Sequence, residues 1–299
     1  MISEATCAVI LNWNRREETL ACLASVTCMV PAPGRIILVD NASTDGSVEA
    51  VAAAYPGVDV VRNEANLGFA GGMNVGLRAA LEGGASYILA LNNDTLVSPH
   101  LLARLTDGFS GTPNAGMVVP KIYYADPPDR IWYAGAMRRR WFPGFDFPGY
   151  GKRDAPRYNR PRQVDYATGC GLLVRASVLE TVGLLDETTF FMYHEDLDLS
   201  ERVRRAGYRI VFKPDARMWH VESASTAPDA PVKWYYLSRY IVPFFRRYYR
   251  LPAVSLTLYT LYVVVRELLK GKPRHVAPFL HGIRDGLRHG EATDGIDGG

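Results

Sequence analysis

The sequence predicts an α/β fold built on a doubly wound, mostly parallel sheet, followed by a helical segment of different composition. Three observations support this fold class. Short apolar runs recur along the first part, helix-like segments lie between them, and polar residues follow each run directly. Runs without alternation are typical of strands buried between two helical layers. A chain of 299 residues, 48% of them hydrophobic, is large enough to bury such a sheet.

The elements of the first part alternate in type, which predicts the order β-α-β-α. The strands are expected at residues 7–13, 35–41, 58–63 and 86–94, and the helices at 16–27, 46–54, 71–81 and 99–108. Ligands of such sheets bind beyond the carboxyl ends of the strands. The polar residues at those ends are Asn12, Asn14, Asp40, Asn41, Asn63, Asn66, Asn92, Asn93 and Asp94.

The second part begins with a stretch rich in Pro, Gly and aromatic residues, 123–166, which predicts irregular structure around a cleft. A strand at 171–174, helices at 176–182 and 197–206, and a strand from 208 are expected next. We predict one domain over 1–225, with a nucleotide-sugar half (about 1–120) and an acceptor half (about 121–225). A linker at 224–231 then leads to a C-terminal amphipathic region, 226–299, with a disordered tail from about 291.

The charge of the chain is segregated. The net charge is only +3, but residues 233–288 carry about +9, which leaves about −6 elsewhere. Aromatic and aliphatic residues are interleaved with these basic residues, so an anionic membrane surface is the expected partner of 233–289 and nucleic acid is not. The alternative is a solvated helical tail. The longest uncharged run, 251–265, is shorter than the roughly 20 residues of a spanning helix, which favours an interfacial helix.

The cysteines and the N-terminal residues indicate the compartment. Four cysteines without metal-like or CxxC spacing and a start without the features of a signal peptide predict a reducing, cytoplasmic setting. Together with the basic region, this predicts peripheral association with the inner face of the cell membrane.

Several short motifs carry candidate chemistry. Asp94 in ALNNDT follows a buried strand and offers a hard oxygen ligand to a divalent cation, although Asn and Asp are also common turn residues. Asp40 in VDNASTDGS leaves its strand at the floor of the cleft, where a carboxylate can bind a base or ribose, whereas Asp45 is expected to cap the next helix.

The glycines of NLGFAGGMNVGL, Gly68, Gly71 and Gly72, could let backbone N–H groups approach a phosphate. Their spacing is neither GxGxxG nor a P-loop, which argues against a dinucleotide oxidoreductase or an NTPase.

The carboxylates of FFMYHEDLDLSERVRRAGY stand behind an aromatic run, at a predicted helix start. They either stabilise the first helical turn through the helix dipole or belong to a catalytic site. Desolvation raises the pKa of such a carboxylate and the helix dipole lowers it, a balance that suits a general base. Helix capping is the stronger interpretation for Asp198, and ion pairing for Arg202 and Arg205.

Taken together, these motifs resemble those of family-2 glycosyltransferases with the GT-A fold, and in particular bacterial rhamnosyltransferases of cell-surface polysaccharide synthesis. The motifs are ILNWNRREETLACLASV, VDNASTDGS, NLGFAGGMNVGL, LNND, TGCGLLVRASVLETVGLLDE, FFMYHEDLDLSERVRRAGY and MWH. They run from about residue 7 to 225, three quarters of the chain.

The resemblance implies roles for individual residues. Asp40 matches the acid that contacts the nucleobase, and the nucleotide-sugar pocket is expected to include Asn12, Asn14, Asn41, Asn66, Gly68, Gly71, Gly72, Asn92 and Asn93. Asp94 is the implied ligand of a divalent metal, Mg²⁺ or Mn²⁺, with His220 as a second ligand or a structural histidine. Asn92 replaces the first acid of the family's DXD motif. The implied base is Asp196 or its neighbour Glu195.

The implied reaction is an inverting transfer from a dTDP, UDP or GDP sugar to a lipid-linked or polysaccharide acceptor. Acceptor contacts are expected from Gly169, Cys170 and Trp219. Aromatics of 123–166 could stack on acceptor sugars and Arg138, Arg139 and Arg140 could meet a lipid diphosphate, with loop packing as the alternative. Two other classes stay open: an inactive nucleotide-sugar-binding protein, suggested by Asn92, and a sugar-nucleotide pyrophosphorylase, for which no activation loop is found.

Overall fold

The computed structural model describes residues 2–221 and 230–288. Most of the linker predicted at 224–231 and the whole tail predicted from 291 lie outside these residues. The first part is the expected β-α-β-α array. Its elements are β1 (Thr6–Asn12), α1 (Arg16–Thr27), β2 (Arg35–Asp40), α2 (Ser47–Ala54), β3 (Asp59–Arg62), α3 (Gly68–Glu82), β4 (Tyr87–Asn92), β5 (Thr95–Val97) and α4 (Leu101–Asp107).

A central sheet of ten strands organises the described part of the chain. β1 lies between β2 and β4 and is parallel to both, and all seven of its residues are buried. Its continuous apolar run is therefore explained by helices on both faces of the sheet. Since β1, β2 and β4 are parallel, their carboxyl ends place Asn12, Asp40 and Asn92 at one edge.

The second part extends this sheet and makes it mixed. Its elements are β6 (Ala115–Tyr124), β7 (Ile131–Tyr133), β8 (Met137–Arg138), β9 (Phe145–Asp146), β10 (Arg162–Val164), β11 (Gly171–Arg175), α5 (Ala176–Val182), α6 (Glu195–Arg205) and β12 (Arg209–His220). β11 is antiparallel to its neighbours β4 and β6. The sheet order is β10-β12-β6-β11-β4-β1-β2-β3, with β5 on β12 and β7 on β6.

β12 is longer than the strand predicted from residue 208, and its extra length positions the site. It runs parallel to β6 along its whole length, and its last three residues also pair with the short strand β5. In that antiparallel register His220 stands opposite Thr95. The pairing therefore brings His220 beside the turn that contains Asp94, 126 positions earlier in the sequence.

Three helices, α7 (Pro231–Tyr248), α8 (Pro252–Leu269) and α9 (Val276–Arg288), form the C-terminal region. They enclose a small apolar cluster of their own, which includes Phe244, Val263 and Phe279. At Gly282 and Gly286 of α9, a Cβ atom would collide with backbone carbonyl oxygens of α7. Close packing of α7 on α9 explains these two glycines.

α8 is long and apolar enough to cross a membrane by length and composition, yet only 11% of this helix is buried in the structure. Its exposed apolar residues are Val254, Leu258, Leu261, Tyr262, Val265, Leu268 and Leu269. This set is called the α8 apolar face below. The uncharged run noted in the sequence ends at residue 265, whereas the helix continues to Leu269 and includes Arg266 and Glu267.

Candidate active site

The turn between β4 and β5 and the end of β12 bring together atoms suited to a metal ion. His220 Nε2 lies 3.2 Å from Asp94 Oδ1, but the two atoms lack hydrogen-bond geometry. Both are buried without a hydrogen-bond partner among the described residues, as is Asn92 Oδ1. Buried polar atoms are ordinarily paired, so the unpaired Asp94 Oδ1 and His220 Nε2, which lie 3.2 Å apart, are suited to bind one ion together.

The donor set fits a divalent cation. A carboxylate oxygen, an amide oxygen and an imidazole nitrogen are all acceptable ligands of such an ion, and phosphate oxygens would complete its shell. Over residues 2–221 and 230–288, no group of three or more His, Cys, Asp or Glu is placed to hold a metal. The protein thus offers a partial shell at Asp94 rather than a closed cage.

Asp40 is buried at the floor of the neighbouring cleft. Its Oδ1 accepts a hydrogen bond of 2.8 Å from Asn12 Nδ2, and its Oδ2 accepts one of 3.0 Å from the backbone N–H of Ser43. Asn12 Oδ1 in turn accepts from Asn93 Nδ2 at 3.0 Å. This network orients Asp40 and joins three of the residues that the sequence assigns to the nucleotide.

Two other predicted nucleotide-binding residues have structural contacts. Asn41 uses its whole amide internally: it donates to Asn66 and to the carbonyl of Gly68, and accepts from Asn63 and Leu67. Asn41 therefore shapes the pocket, and a direct contact with the donor would cost it one of these bonds. Asn14 is exposed, and its Oδ1 accepts from the N–H of Thr44.

The glycines at the start of α3 have a packing role. Gly68 has φ +73°, and a Cβ there would collide with Phe191, while a Cβ at Gly72 would collide with Leu11. The N–H groups of Gly68, Phe69 and Ala70 are already bonded to Asn66 and to the Phe191 carbonyl. The predicted approach of the Gly68 N–H to a phosphate is therefore not supported, because the protein itself uses this donor. A phosphate contact at Gly71 or Gly72 stays a prediction.

Asp196 lies in the first turn of α6 and accepts three hydrogen bonds. Tyr166 Oη and the N–H of Gly169 donate to its Oδ2 at 2.6 and 2.9 Å, and the N–H of Leu197 donates to its Oδ1 at 2.8 Å. Burial raises the pKa of Asp196, and the hydrogen bonds from Tyr166 and Gly169 partly offset this increase. The predicted acceptor residue Gly169 is thus a hydrogen-bond donor to the candidate base.

Glu195 is the less suitable base. Its side chain is 4% exposed, and its Oε2 lacks a hydrogen-bond partner among the described residues. Burial and then the charge of Asp196 raise the pKa of Glu195 well above its usual range. Both causes disfavour the charged form of Glu195, and its Oε2 has no donor comparable to those that Asp196 accepts from.

The backbone before α6 is strained. Tyr193 and His194 have φ values of +66° and +72°, which non-glycine residues rarely adopt. His194 is buried, and this burial lowers its pKa to about 3, so it stays neutral. Such strain is often found where the surrounding structure fixes a functional group, here the start of α6.

A cavity of about 650 Å³ lies between the 123–166 stretch and the C-terminal helices, and it is called the inter-region cavity below. Trp132 lines it and packs its ring on that of His220 at 4.7 Å. Tyr166 lines it too and reaches Asp196. Asp196 itself lines a much smaller cavity beside it. His220 and Asp196 do not line the inter-region cavity themselves, but each contacts a residue that does, Trp132 and Tyr166 respectively.

The structure places the other two acceptor residues expected from the sequence away from the inter-region cavity. Cys170 is buried, and the Trp219 ring stacks on Tyr123 while its Nε1 donates to the Pro128 carbonyl. Neither residue lines the inter-region cavity. Successive side chains of a strand point to opposite faces, so Trp219 cannot share the side occupied by His220. Sequence reasoning missed Trp132 and Tyr166 as individual site residues, although both belong to the aromatic stretch it placed around a cleft.

The arginines of that stretch have contacts that do not favour a diphosphate site. Arg138 pairs with Glu201 at 2.8 Å and stacks on Tyr249, and Arg139 pairs with Asp146 at 2.7 Å. These contacts hold the loop and the C-terminal region together. The loop-packing alternative is therefore the better interpretation for Arg138 and Arg139, while Arg140 stacks on Trp141.

This arrangement defines an α/β protein with a mostly parallel sheet and a candidate ligand site, rich in carboxylates and amides, at the carboxyl ends of its strands. Residues 7–183 match the family model "Glycosyl transferase family 2". The chain therefore belongs to glycosyl transferase family 2 and is a glycosyltransferase, as the resemblance of its motifs predicted.

Among curated proteins, the chain is similar to the N-acetylglucosaminyl-diphospho-decaprenol L-rhamnosyltransferase of Mycobacterium tuberculosis, with 31% identity over 69% of this chain and 73% of the relative. It is also similar to the low-salt glycan biosynthesis hexosyltransferase Agl10 of Haloferax volcanii, with 22% identity over 94% of this chain and 90% of the relative.

Solved glycosyltransferases share the fold. A crystal structure of GalNAc-T7 with UDP, GalNAc and Mn²⁺ matches 79% of this chain and 47% of its own, with a TM-score of 0.61 and 17% identity. A mannosyltransferase from Pyrobaculum calidifontis in complex with GDP-Man and Mn²⁺ matches 96% of this chain and 76% of its own, with a TM-score of 0.57 and 15% identity. The predicted GT-A fold is confirmed.

Proposed function

We propose that this glycosyltransferase moves a deoxysugar, rhamnose being the first candidate, from a dTDP, UDP or GDP donor to a lipid-linked or growing surface glycan, with inversion. The observation that carries the proposal is the arrangement around the inter-region cavity. Trp132 lines this cavity and packs on His220, the candidate metal ligand. Tyr166 also lines it and donates a hydrogen bond to Asp196, the candidate base. The proposed reaction needs a metal site beside the leaving diphosphate and a base beside the acceptor hydroxyl.

Asp94, with Asn92 and His220, would hold the divalent metal. When bound, such an ion neutralises the diphosphate of the donor and stabilises the leaving nucleoside diphosphate. The protein's own part is to hold these ligands rigidly, since Asp94 lies in the tight turn between β4 and β5 and His220 is fixed by the β5 pairing.

Asp196 is our candidate for the base. Three donors hold its carboxylate in one orientation, and its raised pKa makes it a stronger proton acceptor than an ordinary aspartate. The acceptor hydroxyl would give its proton to Asp196 as its oxygen attacks the anomeric carbon. Attack opposite the leaving diphosphate inverts that carbon in one displacement.

The names of relatives support the choice of substrates. The mycobacterial relative is named for a rhamnosyl transfer to a lipid-linked diphospho sugar, and both solved neighbours contain Mn²⁺ with a nucleotide or nucleotide sugar. A lipid-linked acceptor would require this chain to work at a membrane surface.

The α8 apolar face supports that location. The loop carrying Trp141, which is 87% exposed, lies beside this face because Phe142 packs on Tyr262 at 5.2 Å. Exposed tryptophan and basic side chains around an apolar helix are typical of interfacial membrane binding. We propose peripheral association with the inner face of the cell membrane through residues 233–289.

The test is nucleoside diphosphate release from a panel of dTDP, UDP and GDP sugars with Mn²⁺ and a membrane lipid extract. Wild type is compared with Asp94→Ala, Asp196→Asn and Glu195→Gln. Asp215→Asn, a change at a surface ion pair, is the control. We expect acceptor-dependent release with one donor, lost by about 10²–10⁴-fold in Asp196→Asn because the base is removed.

The alternative is an inactive nucleotide-sugar-binding protein, favoured by the amide Asn92 where a carboxylate is usual. Donor binding without turnover, whatever acceptor is supplied, would establish that alternative. Equal losses in Asp215→Asn and Asp196→Asn would remove Asp196 as the base.

A further inference from the structure

A small cavity of about 20 Å³, called the Asp196 cavity below, lies beside the candidate base. Eight of its eleven lining residues are buried hydrophobic residues, and the other three are Phe69, Gly169 and Asp196. These three are half-buried, so they form the side of the cavity that faces solvent. A water molecule in a cavity of this size needs several polar partners, and Asp196 supplies the one polar side chain among the lining residues. The cavity is therefore expected to be dry.

The ring of Phe69 packs against the turn that donates to Asp196. A Cβ atom at Gly169 would lie 3.2 Å from Cε1 and Cζ of this ring and 3.6 Å from Cβ of Asp196. The backbone N–H of Gly169 donates to Asp196 Oδ2 at 2.9 Å. The absence of a side chain at position 169 thus lets the ring and the carboxylate approach the same turn from two sides.

The backbone of Phe69 is fixed to the segment that precedes α6. Its N–H donates to the Phe191 carbonyl at 2.7 Å. At the preceding Gly68, a Cβ atom would collide with the same carbonyl oxygen, so the two backbones are in close contact. The first turn of α3 therefore holds the Phe69 ring in place relative to the start of α6.

The other groups that face Asp196 are two tyrosines and one carboxyl. Tyr166 donates to it from the segment before β11, Tyr133 lies behind Tyr166 on β7, and Glu195 is its neighbour on α6. Burial raises the pKa of both tyrosines, so both are neutral. Burial is also the largest cause that raises the pKa of Asp196, ahead of the hydrogen bonds that lower it. The residues that exclude water from Asp196 thus matter more than its donors.

We propose that Phe69 is a positioning residue of the transfer reaction, whose ring keeps water away from the apolar side of Asp196. A carboxylate that is dry on one side holds a proton more strongly, which suits a base that accepts one from a hydroxyl. This inference rests on the proposed role of Asp196 as the base. It adds a residue of α3, on the side of the sheet edge assigned to the donor, that tunes this base.

The test follows the Asp196 carboxyl group directly. The full-length protein is labelled with ¹³C at its aspartate carboxyl carbons and titrated by NMR, and Asp196→Asn assigns the signal. Phe69→Leu, Phe69→Val and Phe69→Ala remove the bulk of the ring in steps. Phe109→Ala is the control, because this buried ring packs on Tyr87 at 5.2 Å and lies outside the Asp196 cavity. The pH dependence of kcat/KM is measured with the same variants.

We expect the pKa of Asp196 to fall towards its ordinary value in Phe69→Ala, because water reaches the cavity and stabilises the charged form. The acid limb of kcat/KM should then move to lower pH. The maximal kcat should fall about tenfold, less than the 10²–10⁴-fold loss expected when the base itself is removed. Phe69→Leu should titrate like wild type and Phe69→Val should lie between, so Phe69→Val carries the test if Phe69→Ala does not fold.

Three results would overturn the proposal. An Asp196 signal that titrates as in wild type in both Phe69→Ala and Phe69→Val would show that the ring excludes no water. A move to higher pH would show that the ring acts through the Gly169 hydrogen bond instead, since loss of a donor raises the pKa. An equal shift in Phe109→Ala, or a shifted signal with an unmoved acid limb, would leave Phe69 a packing residue.

The NMR titration contains no donor, no acceptor and no turnover. Failure of the proposed transfer appears as absent nucleoside diphosphate release, whereas failure of the shielding role appears in the titration of Asp196. The two failures are therefore distinguishable.

Discussion

The hydroxyl of Tyr166 donates a 2.6 Å hydrogen bond to Oδ2 of Asp196, and this bond joins the wall of the inter-region cavity to the candidate base. Tyr166 is itself held, because Tyr133 donates from its hydroxyl to the Tyr166 carbonyl. Burial raises the pKa of the Tyr166 hydroxyl well above its usual value, so the tyrosine remains a proton donor at any working pH. The bond stabilises the ionised form of Asp196.

Removing that hydroxyl should shift the pH dependence of transfer. A base works when ionised, so activity is present above the pKa of Asp196 and lost as the pH falls through it. In Tyr166→Phe this pKa rises further, because a bond to the charged form is lost. We expect the acid limb of kcat/KM to move to higher pH. Tyr55→Phe, whose hydroxyl donates to Leu20 away from the site, is the control; an unmoved acid limb would contradict the assignment.

Removing His220 should weaken the response to metal. If its Nε2 shares an ion with Asp94, His220→Ala should raise the Mn²⁺ concentration for half-maximal activity by about 10- to 100-fold, the effect typical of a disturbed metal shell. His100→Ala, at a surface position before α4, provides the comparison. A metal titration identical to wild type would leave His220 a structural residue.

Two substitutions on the α8 apolar face should release the protein from membranes. Leu258 and Leu261 are 45% and 60% exposed, so Leu258→Ser with Leu261→Ser leaves the core intact. Loss of two leucine contacts with lipid should lower partitioning about tenfold or more in vesicle sedimentation. Val30→Ser, equally exposed on the body, should have no effect. Unchanged partitioning would favour the solvated-tail interpretation.

The buried carboxylate of Asp198 should prove structural. It is 1% exposed and accepts from Arg202 Nε at 2.8 Å, Arg247 Nη1 at 3.2 Å and Tyr248 Oη at 2.6 Å. It therefore ties α6 to α7. Asp198→Asn should lower the free energy of unfolding by about 2 kcal/mol in urea denaturation, because Arg202 loses its counter-charge and Arg247 keeps only Asp186 in a partly buried site. A loss no larger than that of Asp215→Asn would contradict this role.

The bonds between Asp198 and α7 correct the role that the sequence predicted for this residue. The sequence favoured helix capping for Asp198, because it lies in the first turn of α6. The structure shows instead that it accepts from one residue four positions later and from two on α7. The ion-pairing role expected for Arg202 is confirmed. Nothing local in the sequence joins Asp198 to Arg247, which lies 49 positions away.

The sequence by itself determined the local structure of the first part and the chemical type of the site. Its apolar runs and helical segments lie within a few residues of β1 to β4 and α1 to α4, because these patterns depend on near neighbours. The motifs also singled out Asp94, which follows β4 in the turn before β5, and Asp196, in the first turn of α6, as candidate site residues.

Only the tertiary structure decided which atoms meet. The β12–β5 pairing puts His220 beside Asp94, and the turn before β11 puts Tyr166 on Asp196. It also shows that Gly68 allows close packing against Phe191 and that Asn41 orients Asn66 by a hydrogen bond. Contacts of this kind depend on strand register and on the approach of distant segments, and neither is encoded in the spacing of a motif.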